Sequence, residues 1–478
     1  MNSDQILALM PIIVLSLCAV VLMLQASVRR NAKVAWNISA LGLIAAIWGA
    51  GYSLDLTSQV TPLIIIDRWG LMFTTLILIA SMVTLLLSRE SFSKQQKSKD
   101  EYYLLLILAV LGAVVLIHSS HVATLLLGME LMGIALYAMI AFPEKGNLSL
   151  EAAIKYLVLS ACASAMLLFG FALLYAATGD LSYVGMASKA AIAYADNPAL
   201  IMAGTALVIS GVCFKLSVVP FHMWTPDVYQ GAPTPVTGFL ATVSKGAVFV
   251  AFTRIFVGGN LAQYDNLVVA LTVVAIASML VGNLLALRQD DVKRMLSYSS
   301  IAHFGYLLIV LIAAPALGIM AYQAISFYLI AYIVTSLAAF TVLTAIAGED
   351  ETANHISAFE GLFWRSPVQA AALTVAMLSL AGIPLTAGFI GKFYIIIASI
   401  EGAQWALLTA LVVGSAIAIY YYLKVIFAMS KIPEDKLEHE LASKPRNLSY
   451  DFLAAAMLAL VLYIGSWPQP VMAFIAGL

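Results

Sequence analysis

Six titratable side chains stand in otherwise apolar stretches of the sequence: Glu130 in LLLGMELMGIALY, Lys215 in FKLSVVP, His222 after Pro220, Lys245 in PVTGFLATVSKGAVFVAF, His303 in YSSIAHFGYLL and Lys392 in LTAGFIGKFYIII. Removing lysine from water disfavours its charged form, and a nearby anion restores it. Separating Glu130 from Lys215 would therefore drive the lysine's proton onward, which is a switchable element for moving protons. Histidine titrates near neutrality and can relay a proton where lysine cannot cheaply do so. Carrying one charge across ~150 mV costs about 3.5 kcal/mol, which making or breaking one ion pair in a low-dielectric site can supply.

Each of these residues also has a plainer reading. A charge at the centre of a membrane helix costs at least ~2.5–3.5 kcal/mol, and a short carboxylate such as Glu130 cannot snorkel to the surface as lysine and arginine do. Glu130 therefore reads as paired with a lysine from another helix, Lys215 being the nearest candidate, or else as a neutral acid. Lys245 lies about 19 Å along its helix by helical rise, too deep to snorkel. Lys155 follows Glu151 by four residues, so an ion pair at a helix start accounts for it almost as well as a relay role. Lys424, near the end of its run, can snorkel. His118 and His121, flanking a short turn (HSSH), read as interfacial. The three cysteines, Cys18, Cys162 and Cys213, share no ligand spacing, so neither a metal site nor an iron–sulfur cluster is expected.

The elements that position these groups follow from composition. Of 478 residues, 63% are hydrophobic and 10% charged, against ~25% charged in soluble domains. That much apolar material cannot be buried in a soluble fold of this size. The chain reads as an all-α polytopic membrane protein embedded in a lipid bilayer. A net charge of −1 gives no electrostatic case for nucleic acid. Charges and turn residues divide the sequence into about fourteen apolar runs, and helices are the default because backbone groups in lipid must be satisfied within the segment. The first run starts near Gln5 without a basic stretch before it, which reads as a retained helix rather than a signal peptide.

Sixteen of the 24 lysines and arginines fall in one alternate set of loops, and only Arg68, Lys189 and Arg254 in the other. The positive-inside rule makes the richer set cytoplasmic and puts both termini on the outer, periplasmic side. Two runs, 198–226 and 367–400, are too long for one crossing. Each has a proline near its middle, Pro220 and Pro384, and a lysine close by, Lys215 and Lys392. A mid-helix proline removes a donor and clashes with the preceding turn. Broken helices in two halves of a polytopic chain suggest inverted repeats around a midplane site. No nucleotide loop, haem motif or cluster motif supplies energy, so it must come from an ion gradient or a partner protein.

The strings FKLSVVPFHMWTPDVYQGAPTPV (214–236), LRQDDVKRMLSYSSIAHFGYLL (287–308) and MLSLAGIPLTAGFIGKFY (377–394) resemble the antiporter-like membrane subunits of bacterial respiratory complex I, and the resemblance runs over essentially the whole chain. It implies two inverted five-helix repeats with crossings 7 and 12 broken: an N-terminal three-helix region (1–100), a first repeat of crossings 4–8 (101–258), a second of crossings 9–13 (259–430), and a cytoplasmic loop with a last helix (431–478). The family's charged positions fall on Glu130, Lys215, Lys245 and Lys392, with Lys155, Glu151, His222 and His303 as a supporting relay. The resemblance further implies a subunit of a proton-translocating NADH:quinone oxidoreductase in the bacterial inner membrane, without a redox centre of its own. Flavin mononucleotide, iron–sulfur clusters and quinone would sit in partner subunits, the other membrane-arm subunits would be neighbours, and NADH would not bind this chain. An Mrp-type cation/proton antiporter subunit shares the repeat and is the main rival. A passive membrane anchor is a third reading, but an anchor has no need of one buried carboxylate and several buried lysines.

Overall fold

The computed structural model describes residues 3–91, 99–143, 147–347, 354–432 and 448–477. The loop cations Lys94, Lys97, Lys145, Lys436, Lys444 and Arg446, and most of the loop 430–450, lie outside the described residues.

The chain begins with α1 (Ser3–Ala8), α2 (Met10–Val28) and α3 (Ala32–Tyr52), then a small antiparallel hairpin of β1 (Ser58–Thr61) and β2 (Ile64–Ile66), then α4 (Arg68–Ser91). Next come α5 (Lys99–Ile117), α6 (Val122–Ile140), α7 (Asn147–Thr178), α8 (Tyr183–Asp196), α9 (Pro198–Leu216), α10 (Trp224–Gly231), α11 (Thr234–Phe239) and α12 (Lys245–Gly258). The π-helical stretch Leu240–Ser244 joins α11 and α12 into one crossing, Thr234–Gly258. The last part holds α13 (Asp265–Ala286), α14 (Val292–Leu317), α15 (Ile319–Ala347), the short α16 (Leu362–Arg365), α17 (Pro367–Ala381), α18 (Ala387–Glu401), α19 (Trp405–Ser430) and two further helices, Leu448–Ser466 and Gln469–Ala476.

Thirteen helices among the described residues are long and apolar enough to cross a membrane. The pair α17 and α18, 15 residues each, completes a fourteenth crossing interrupted near its middle. The chain is a multi-pass membrane protein. Among the described residues, a further amphipathic helix, α8, lies in a stretch (180–197) that hydropathy alone leaves as a loop.

The chain divides into two compact units. The first holds Met1–Leu86, Lys94–Trp224 and Val243–Ala270; the second holds Leu87–Ser93, Thr225–Thr242 and Leu271–Leu478. In the first, α5 and α6 approach so closely at Gly112 and Gly128 that a Cβ on either would stand 2.5–2.8 Å from a backbone nitrogen of the other helix. Small residues at helix contacts are how membrane helices gain dispersion energy, because lipid offers no hydrophobic drive to pack. In the second unit α14 and α15 are the core, with 83% of each apolar window buried inside the protein.

Both long runs end their first half by the same device. At the end of α9, Ser217 turns left-handed (φ 63), and the Val218 and Ser217 amides bond the Cys213 and Phe214 carbonyls at 3.0 Å. At the end of α17, Gly382 does so (φ 85), with Ile383 and Gly382 amides on Leu378 and Ser379. This is the left-handed helix stop that satisfies orphan carbonyls. Pro220 and Pro384 follow within the gaps, where no helical hydrogen bond is required of them.

Candidate functional site

In the first unit three helices meet at a set of hydroxyls. Glu130 on α6 is partly buried and accepts a short hydrogen bond from Ser164 Oγ of α7. Lys215, 5% exposed in the last turn of α9, donates to Ser160 Oγ at 2.6 Å. Ser160 also accepts from the Tyr137 hydroxyl of α6 at 2.6 Å. Both lone pairs of the serine oxygen are thus used, and its own proton remains to be donated. Ser160 and Ser164 are four residues apart and share one face of α7. The expected meeting of Glu130 with Lys215 therefore takes a mediated form: each binds its own serine, and among the described residues no carboxylate lies within 4 Å of the lysine.

The helix break explains where Lys215 sits. Ending α9 at Leu216 leaves the lysine at the negative pole of the helix dipole, which favours a cation. Trp224, at the start of α10, returns across the gap: its indole donates to the Phe214 carbonyl at 3.1 Å and its ring stacks on Tyr156 with centroids 4.6 Å apart. His222 lies in the gap, 7% exposed, with Nδ1 buried and without a partner among the described residues. Gly133 of α6 faces this cluster; a Cβ there would stand 3.1 Å from the Tyr137 hydroxyl and 3.9 Å from Lys215 Nζ.

Lys245 is fully buried and opens α12 directly after the π-helical turn. Such single wide turns inside α-helices recur at functional positions.

In the second unit the same pole-and-lysine arrangement recurs in another form. Lys392 of α18, 6% exposed, reaches back across the gap and donates to the Ala381 carbonyl at the C-terminus of α17, at 2.8 Å. Its ammonium lies 5.3 Å from the centre of the Tyr306 ring. Gly382 is required on two counts: its backbone is left-handed, and a Cβ there would come 2.7 Å from Lys392 Cδ. His303 on α14 bonds the Tyr328 hydroxyl through Nδ1 at 2.7 Å and faces the Tyr422 hydroxyl at 3.4 Å from Nε2. Tyr422 makes a short bond to Ser299, one turn before His303. Tyr332 donates to Ser300, and Thr335 bonds Ser379, so a small cavity lined by His303, Tyr328, Tyr332, Thr335 and Ser379 is ringed by hydroxyls.

Other candidates lie elsewhere. Lys155 and Glu151 form an i,i+4 ion pair at 2.7 Å on an exposed face near the start of α7, with side chains 42% and 58% exposed, away from the serine cluster. Lys424 reaches Asp290 at 2.7 Å at the end of its span. His121 caps α6 by accepting from the Ala123 amide. His118, read from the sequence as interfacial, directly follows the end of α5 and is 1% exposed, bonded to Thr74 and to the Ile65 carbonyl of β2. Beside it Arg254 holds Asp67 through two bonds of 2.8 and 2.6 Å, donates to the Ile117 carbonyl, and stacks over Trp69. Burial, together with the Arg254 charge, pushes the His118 imidazole down to about 4, so it stays neutral. Asp67 is held below the usual carboxylate range, the bonds and charge of Arg254 outweighing its burial.

Sequence reasoning missed the hydroxyl partners: Ser160, Ser164, Tyr137, Tyr328 and Tyr422. The one available signal was the four-residue spacing of two serines in an apolar helix, LSACASAM. Among the described residues no group of three or more His, Cys, Asp or Glu side chains is placed to hold a metal ion.

Residues 119–418 match the family described as NADH:quinone oxidoreductase/Mrp antiporter, transmembrane. Over 475 residues, 98% of this chain and 94% of the relative, the sequence is 43% identical to NADH-quinone oxidoreductase subunit N of Methylococcus capsulatus. A chain from the structure of respiratory complex I from Thermus thermophilus with bound aureothin superposes with a TM-score of 0.82 at 32% identity, over 97% of this chain and 99% of that one. A chain of the Mrp complex from a Dietzia species superposes with a TM-score of 0.84 at 19% identity, over 99% and 96%, a likeness of fold alone.

Proposed function

The chain belongs to the NADH:quinone oxidoreductase/Mrp antiporter transmembrane family, and on that premise we propose that it is a proton-translocating membrane-arm subunit of a respiratory NADH:quinone oxidoreductase. The observation that carries the reading is burial: Lys215, Lys245, Lys392, His222 and His303 are each at most 7% exposed inside a membrane-spanning chain. Charges in that position are too costly to be incidental.

Protons taken up from the cytoplasm load Lys215 and Lys245, pass near His303 and reach Lys392, with His222 assisting at the first break. Glu130 and Lys215 form the switch, and charge changes in neighbouring membrane-arm subunits drive it. Lys155 and Glu151, outside the buried cluster, take the part of an auxiliary pair. In this reading the chain lies in the bacterial inner membrane with both termini periplasmic, and 101–258 and 259–430 are inverted repeats between the flanking 1–100 and 431–478. NADH, flavin mononucleotide, iron–sulfur clusters and quinone belong to partner subunits.

The test is pumping by the assembled complex in vesicles. Lys215→Ala and Lys245→Ala are each expected to abolish coupled proton transport while the complex still assembles, and full pumping in both variants overturns the path. Sodium-dependent transport without NADH would instead assign the chain to the antiporter class.

A further inference from the structure

A pocket of about 530 Å³, counted with its open mouth, lies in the first unit between the last turns of α7, the first turns of α9, the end of α12 and the amphipathic helix α8. Phe171, Leu174, Met186, Ala190, Val208 and Leu261 give it an apolar wall. It holds none of the proton-carrying residues. Its position, at one end of three membrane-spanning helices, is the level where hydrocarbon gives way to headgroups. α8 is built for that level: Val184 and Ile192 are 74% and 70% exposed, while Tyr183 and Ala193 are buried against the bundle. A helix with one apolar face exposed and another docked lies in the membrane interface.

Polar groups border the pocket on this side. Thr178, at the end of α7, lines it, and Asp180 two residues later pairs with Lys189 of α8 at 2.9 Å, with side chains 29% and 49% exposed. Asp180 is held well below the usual carboxylate range by bonds from the Ser182 amide, Lys189 and the Ser182 hydroxyl, so the pair remains one cation and one anion. Tyr264, also in the wall, packs its ring 5.7 Å from Tyr194, and its buried hydroxyl lies beside the Gln263 side chain. Tyrosines with an apolar ring and a polar tip gather at this depth of a bilayer.

We propose that this pocket holds an acyl chain of a zwitterionic membrane phospholipid, whose headgroup lies over the Asp180–Lys189 pair. The medium outside the mouth is lipid hydrocarbon, so the drive is not removal from water; an empty apolar space forfeits dispersion contacts on its lining, and a lipid tail restores them. The paired carboxylate and ammonium match the amine and phosphate of such a headgroup. Lys189 is the sole cation of α8, so there is no basic cluster to select an anionic lipid.

The experiment uses the assembled complex in vesicles of phosphatidylethanolamine and phosphatidylglycerol, doped with phosphatidylethanolamine that carries a photoactivatable diazirine on one acyl chain. After irradiation, adducts at Met186–Ala190 and Leu261–Tyr264 are expected about tenfold above those at Val269 and Val273, 62% and 61% exposed on α13, a ratio equivalent to about 1.4 kcal/mol. Ala190→Phe puts a ring across the pocket and should bring the ratio to about one; Ala187→Phe serves if that variant does not assemble. A ratio near one in the unaltered complex, or one that neither variant lowers, overturns the proposal. Equal labelling by phosphatidylglycerol overturns the headgroup assignment, and displacement of the label by a long-chain quinone gives the pocket to a quinone tail instead.

Discussion

Glu130 and Lys215 are held one helical turn apart along α7, each on its own serine, so the opposite charges are neighbours without being bonded. A direct buried ion pair is hard to open because each partner would be left unpaired. Serine hydroxyls keep both charges satisfied while leaving the distance between them adjustable. Ser160→Ala is expected to remove the lysine's acceptor and with it about 1.5–3 kcal/mol, lowering coupled pumping by about tenfold or more. Ser160→Thr, which keeps a hydroxyl, should restore most of it. Proton uptake per NADH oxidised in inverted vesicles is the measurement, and normal pumping by the alanine variant would show the bridge to be dispensable.

Gly382→Ala should impair the second unit in two separable ways. A left-handed backbone strains any side chain by about 1–3 kcal/mol, and the new methyl would collide with Lys392 Cδ. Combining it with Lys392→Ala removes the collision but not the strain. The stability loss of the double variant is therefore expected to be smaller than the sum of the two single losses, as read from thermal inactivation of the complex. Strict additivity would mean that the glycine and the lysine do not interact.

His118 predicts an acid-side weakness. Its folded value of about 4 lies below its ordinary 6.5, so between those values the unfolded chain binds a proton that the folded chain refuses. Stability rises with pH wherever the unfolded state holds more protons. The contribution is therefore fully present above about pH 6.5 and falls by about 3 kcal/mol on acidification to pH 4. His118→Gln should flatten the dependence of the unfolding temperature on pH in that window, whatever its effect at pH 7.

Asp67→Asn should cost about 1–3 kcal/mol, because the partly buried Arg254 charge is left facing a neutral amide. Replacing both residues by a neutral pair should recover part of the loss, a comparison read from the same unfolding curves.

Lys155→Ala provides the contrast to the buried lysines. An exposed i,i+4 ion pair contributes about 0.3–0.5 kcal/mol, so pumping should fall by no more than about twofold. A loss as large as that expected of Lys215→Ala would give this exposed pair an essential part in transport.

Much of this was legible in the residues. Hydropathy marks the crossings, and the prolines at 220 and 384 mark both interruptions, because a missing donor and a ring clash act locally. Hydropathy did not reveal α8, whose alanine-rich turns are too polar for a span and too short for one. Nor did it reveal the hydroxyls. Ser160, Ser164, Tyr328 and Tyr422 acquire meaning from which helix faces which, and no property of a single segment encodes that. The same limit makes Glu130 and Lys215 look like direct partners in sequence, where charge and depth are visible but the serines between them are not.

The wide turn at Leu240–Ser244 has a consequence for Lys245. In an ordinary α-helix each residue advances about 100° around the axis, so an inserted or lost residue rotates everything after it by that amount. The wide turn absorbs one extra residue and so cancels that rotation, leaving the ammonium group on the bearing that a regular helix one residue shorter would give it. Deleting a single residue from this stretch would close it into ordinary α-helix and leave the lysine among nearly the same neighbours, whereas a deletion within Thr234–Phe239 would swing it by about 100°.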